Sequence, residues 1–202
     1  MDLSQKALQK KREKKKQTRK TKALKPVLAG PSPITFSRWS LHECWVPTEL
    51  WEIGIGHVVV TRKNSLGDIA VGMYLLDVFC LGVKDCFVRL TDASGYNKML
   101  QQVRTLTGEL RLVEPSYAST LVYKAKGYAM QLGFKPHNDF LKAHVMLKDI
   151  SIDEMLRFNF GKDNRPYYVQ GPNESPADVR RIMHTLENNL GQKDFNYLIG
   201  IQ

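Results

Sequence analysis

From residue 55 to residue 91 the chain alternates apolar runs with short polar breaks, a pattern that predicts three consecutive β-strands. Residues 55–62 (IGHVVVTR) are rich in the β-branched side chains that suit a pleated surface. The polar stretch 64–68 (NSLGD) supplies a turn, and residues 69–79 (IAVGMYLLDVF) follow as a second strand, apolar on both faces and therefore central in its sheet. A third strand is expected over residues 86–91, after a break at residues 81–84. Connections this short join antiparallel neighbours, so the strands should form a meander. Gly54, Gly56, Gly72 and Gly82 lie in or beside them, where glycine marks a bulge or the close approach of another element. Upstream, Phe36, Trp39, Trp45 and Trp51 make an aromatic lead-in to which the pattern assigns no element.

Helical spacing takes over in the second half. A helix over residues 95–106 should end at Gly108. A better one over residues 115–132 begins with Pro115, repeats Tyr117, Leu121, Ala125, Tyr128 and Leu132 along one face, and stops at Gly133. A third is expected over residues 138–148 with Asn138 as its cap. Residues 158–160 and 166–170 flank the polar turn KDNR and predict a hairpin. Ser175 and Asp178 read as a capping box, and Val179, Ile182, Met183, Leu186 and Leu190 form one apolar stripe before Gly191. Residues 195–201 close the chain as a strand. Strands first and helices afterwards imply an α+β fold, an antiparallel sheet with helices packed mainly on one face.

Composition adds one asymmetry to this picture. The 202 residues are 43% apolar, enough to build a core without disulfide or metal staples. Of the net charge of +10, residues 1–25 carry +9, from eleven Lys and Arg against Asp2 and Glu13. Residues 26–202 hold 19 basic and 18 acidic side chains and come to only +1. With few large apolar residues to offset the entropy of ordering, residues 1–25 are expected to be a disordered basic tail. Pro26, Gly30, Pro31 and Pro33 mark residues 26–33 as a linker, and residues 34–202 are expected to be a single α+β domain.

Several classes are excluded at this level. Cys44, Cys80 and Cys86 are an odd set, which suits a reducing, cytoplasmic setting, or a nuclear one if the basic run serves as an import signal. The longest apolar stretch, residues 69–83, contains Asp77 and is too short to span a bilayer, and no secretory leader is legible. The phosphate-loop, dinucleotide and serine-hydrolase signatures do not occur. The cysteine spacing does not fit zinc, and a Cys-His nucleophile would need a proximity that the sequence does not show.

The strongest chemical signal is the cationic string Lys10, Lys11, Arg12, Lys14, Lys15, Lys16, Arg19, Lys20, Lys22 and Lys25. Such a string gains free energy by displacing counterions from a polyanion, so RNA or a ribonucleoprotein is the expected partner, with DNA as a further candidate. A solvated tail that aids solubility is the plain alternative, and a protein-interaction module with an incidental tail is another. Asp77 shares a strand face with Ile69, Val71, Met73 and Leu75, where an ionised group needs a partner. One reading pairs Asp77 with Asp85 to hold Mg²⁺ or Mn²⁺ in a phosphodiester hydrolase. The other has Asp77 accept hydrogen bonds from loop amides or pair with Lys84, and this is the reading we favour. His137 and Asp139 flank a helix start and are read either as an acid–base pair or as capping residues. His57, alone in its strand, reads as a hydrogen-bonded core residue. Tyr167, Tyr168, Trp39 and Trp45, near Lys162, Arg165 and Arg38, would stack bases if exposed.

Overall fold

The computed structural model describes residues 33–191 and 194–200, so the ten tail cations named above lie outside the described residues. The chain runs through α1 (Pro33–Phe36), β1 (Ser40–Pro47), α2 (Leu50–Ile53), β2 (Ile55–Lys63), β3 (Ile69–Asp77) and β4 (Gly82–Thr91). It continues through α3 (Ala93–Thr107), β5 (Leu110–Val113), α4 (Pro115–Gln131), α5 (Phe140–Ala143) and a 3₁₀ turn (His144–Leu147). The last elements are β6 (Tyr167–Val169), α6 (Pro176–Leu190) and β7 (Asn196–Leu198).

The fold is α+β. Five strands form one antiparallel sheet in the order β4-β3-β2-β1-β5, and β2, β3 and β4 make the meander that the sequence pattern predicts. β3 is buried along nearly its whole length, as an apolar strand flanked on both sides must be. β1 and β5 were not foreseen. β1 carries polar, exposed residues in its first half, and β5 has four residues, two of them exposed, so neither shows a readable alternation. β4 also starts earlier than expected, because residues 82–85 continue the ladder opposite Asp77 to Leu75.

Each face of the sheet has its own layer. On one, Val59, Val71 and Met73 pack against Tyr96, Met99, Leu100 and Val103 of α3, a stripe at helical spacing. On the other, Val58, Val60, Tyr74 and Leu76 meet Ala118, Leu121, Val122 and Ala125 of α4, and α5 and the 3₁₀ turn cover the rest. Most helical cover therefore lies on one face, while α3 carries the chain across the opposite face from the β4 edge to the β5 edge. α4 comes close because its packing residues are small and because Gly82 has no side chain. A Cβ at Gly82, where φ is +63°, would lie 2.6 Å from the Ala129 Cβ. Gly72 plays the same part for the 3₁₀ turn, since a Cβ there would lie 2.8 Å from the Met146 Cγ.

Two expected elements take other forms. The residue 138–148 helix splits into α5 and the 3₁₀ turn, and its N-cap is Asp139 rather than Asn138, with no side-chain cap bond. The hairpin reduces to one antiparallel bridge, Lys162 to Arg165, around Asp163 and Asn164 in left-handed conformation. Its first arm makes no ladder, because Phe158 and Phe160 pack their rings on Trp51, Tyr117 and Tyr128 instead. The second arm becomes β6, which pairs in parallel with β7, a strand shorter than the residue 195–201 segment expected.

Arg62 closes the α4 side of the sheet. It is buried in β2, and its guanidinium donates to the carbonyls of Met146, Ser37, Trp39 and Lys148. Burial lowers its pKa, yet this planar fork is what joins the start of the described chain to the 3₁₀ turn. Arg62→Met keeps the stem but strands four carbonyls, and should cost about 3 kcal/mol in urea unfolding, with Arg62→Lys recovering only part of the loss. Gly72→Ala should cost about 1–3 kcal/mol in the same assay, because the enclosed Met146 has little room to give.

Candidate functional site

A cleft of about 560 Å³ opens on the α3 face of the sheet, beyond the C-terminal end of that helix. Its floor is a row across three strands. His57 of β2 and Asp85 of β4 both sit opposite Leu75 of β3, so the three side chains project from one face. Met73 and Phe87 continue the floor, Glu49 and Ile53 come from the α2 region, Leu106 and Thr107 from the end of α3, and residues 171–174 form the far wall.

A register shift in β4 furnishes the cleft with adjacent charges. Leu75 pairs with Asp85 and Leu76 with Val83, which leaves Lys84 as the extra residue of a bulge. Neighbours on a regular strand point to opposite faces, whereas a bulge turns two to one side, and both Lys84 and Asp85 line the cleft. Lys84 is bound to Glu174 at 2.6 Å. Glu174 also accepts from the Tyr168 hydroxyl at 2.6 Å and from the Gly171 N–H at 2.8 Å. Burial pushes the Glu174 carboxyl upward, but the hydrogen bonds from Lys84 and Tyr168 outweigh it and hold the pKa below the ordinary value. The same ion pair borders a smaller pocket of about 250 Å³ that contains His137.

The four candidate catalytic residues separate into two groups. Asp77 stays with its own turn: its Oδ1 accepts from the N–H groups of Phe79 at 3.0 Å and Cys80 at 2.9 Å, as the favoured reading has it. Asp85 instead faces His137, whose Nε2 lies 3.7 Å from its Oδ1. The His137 Nδ1 accepts the Asp139 N–H at 3.2 Å, and Asp139 pairs with Lys142 at 3.0 Å. The structure thus joins Asp85 to His137, a pairing that the sequence spacing does not show. Among the described residues no group of three or more His, Cys, Asp or Glu side chains is placed to hold a metal ion.

His57 is the residue that the sequence reading missed. It is not a hydrogen-bonded core histidine: it lines the cleft, and its enclosed Nδ1 has no hydrogen-bond partner. Burial pushes its pKa down to about 4, against a weaker upward pull from Asp85, so the imidazole is neutral at pH 7. The only sequence sign was Gly56 beside it, a strand glycine that marks a close approach, since a Cβ there would lie 2.7 Å from the Pro47 Cγ. The cysteines are free and buried, and burial raises the Cys44 pKa to about 11 and that of Cys80 further, so both remain thiols. Of the aromatic pairs, Tyr168 is fully buried, Tyr167 is half-buried beneath Lys162, and Trp45 lies under Arg104 while donating to Tyr96.

Buried Asp77 and half-buried His57 titrate in opposite senses. Burial raises Asp77 from 3.8 to about 6, with Lys84 and the turn amides opposing it, so the folded state holds this proton more tightly and Asp77 makes stability fall as pH rises through that window. His57 drops from 6.5 to about 4, so the unfolded state holds more proton there and His57 makes stability rise over almost the same window. The two contributions oppose each other in the wild type. Asp77→Asn should therefore expose a rise in stability of up to about 3 kcal/mol between pH 4 and 6.5, and His57→Gln a fall of similar size, read from urea midpoints across pH.

No protein-family model, no curated protein and no solved structure matches this chain, so its geometry and its charge distribution carry the functional reading.

Proposed function

We propose that this protein associates with RNA or a ribonucleoprotein through the basic segment of residues 1–25. The observation that supports this is the partition of charge, +9 in those residues and +1 in the remaining 177. The folded part is poorly equipped to hold a polyanion, since many of its cations already have work. Arg62 serves buried carbonyls, Lys84 is tied to Glu174, Lys124 donates to the Leu156 carbonyl, and Arg104 and Arg111 lie over Trp45 and Tyr117. Three free, buried cysteines suit a reducing, cytoplasmic setting, and no described helix is long and apolar enough to cross a membrane. A hydrolase that holds Mg²⁺ or Mn²⁺ between Asp77 and Asp85 gains no support from the geometry, because the Asp77 carboxylate is taken up by its own turn.

Phosphate contacts give affinity, while contacts to bases give specificity. If about six of the eleven cations meet single-stranded phosphates, log K should fall against log salt with a slope of about −4. Deletion of residues 1–25 should flatten that slope and leave the melting temperature nearly unchanged. A salt titration of both chains against an unstructured RNA and a duplex DNA tests this. An unchanged slope on deletion moves binding to the folded part, and no binding by either chain leaves solubility as the role of the segment.

A further inference from the structure

We propose that the cleft on the α3 face binds a neutral, mainly apolar small molecule that carries a hydrogen-bond acceptor, with its body on Leu75 and Phe87 and the acceptor at the Nε2 edge of His57. The apolar lining is the first support. Ile53, Ile55, Met73, Leu75, Phe87 and Leu106 line a space of about 560 Å³, the size that encloses a small organic ligand. Ile53, Ile55 and Leu106 are 51%, 37% and 43% exposed, so apolar surface that folding leaves in water is gathered around one concave site. An apolar body that covers it gains the free energy of removing that surface from water.

Charge is the second support, because the ionic groups of the lining are already matched within the protein. Lys84 is bound to Glu174 at 2.6 Å, Asp85 faces His137 at 3.7 Å, and Glu49 is exposed to water. An ionic ligand would have to displace one of these partners or lie in the cleft without a counter-charge. Either costs more than bringing in a neutral molecule of the same shape.

His57 supplies the polar contact. Nδ1 is the enclosed nitrogen of this half-buried ring, so the edge that meets the cleft is Nε2. The neutral imidazole carries one proton, and an enclosed N–H with no acceptor is a rarer defect than an enclosed lone pair, which assigns that proton to Nε2. The floor thus presents an N–H donor among apolar side chains, a pattern that orients a ligand through a carbonyl or ether oxygen. The site makes no use of residues 1–25 and does not rest on what they bind.

The probe is acetylnaphthalene, compared with naphthoate and protonated naphthylmethylamine in calorimetric titrations of the full chain. The ketone should bind at one site at least about tenfold more tightly than either ion. In the proton–carbon NMR spectrum of the wild type, the Leu75 and Leu106 methyl signals and the His57 ring signals should shift as the ketone saturates. His57→Phe, which keeps a ring and removes the donor, should lower ketone affinity about tenfold. Leu106→Asp, at an exposed position that folding tolerates, should lower it as well. The absence of saturable ketone binding up to its solubility limit, equal or tighter binding of either ion, or unmoved cleft signals at saturation would each overturn the proposal. So would a His57→Phe chain whose melting temperature and ketone affinity both match the wild type.

Discussion

One surplus residue in an edge strand organises this end of the molecule. Without the bulge at Lys84, strict alternation would send Lys84 and Asp85 to opposite faces of the sheet. With it, Lys84 reaches Glu174, and Glu174 gathers Tyr168 of β6 and the backbone of Gly171. A single carboxylate therefore links the five-stranded sheet to the wall of the cleft and to the small parallel pair of β6 and β7. The bulge also sets Asp85 where it meets His137 from the chain that follows α4. Half-buried ion pairs add little net stability, because desolvation offsets their attraction, but they distinguish one docking geometry from others.

The molecule separates its charges by location. Cations accumulate in the first 25 residues, while the charged side chains that line the cleft in the folded part are three carboxylates and one lysine. An RNA strand bound as proposed by the basic segment would have an electrostatic reason to stay out of the cleft.

Legibility in the sequence followed burial. β3, the helix α3 and the stripes of α4 and α6 could be read because each has a face committed to the core, which imposes a period on the residue types. β1 and β5 could not, since their exposed halves accept polar residues and their stability comes from the ladder rather than from side-chain patterning. Phe158 and Phe160 look like strand residues, but a ring cluster claims their side chains and their backbone makes no ladder. At the site, Asp77 was readable because its constraint is local, a carboxylate two and three residues from the amides it accepts. The row of His57, Leu75 and Asp85 was not, because it depends on the register between strands and on a bulge that no residue type announces.

The position of Arg62 has a mechanical consequence. Its guanidinium grips the carbonyls of Ser37 and Trp39, just ahead of β1, and anchors them to the 3₁₀ turn beneath Gly72. Phe36 is buried against the same turn, between Trp39 and Met146. Residues 36–39 therefore leave the sheet only when the Arg62 hydrogen bonds and the Phe36 contacts break together, which ties the lead-in of β1 to a turn more than a hundred residues later in the chain.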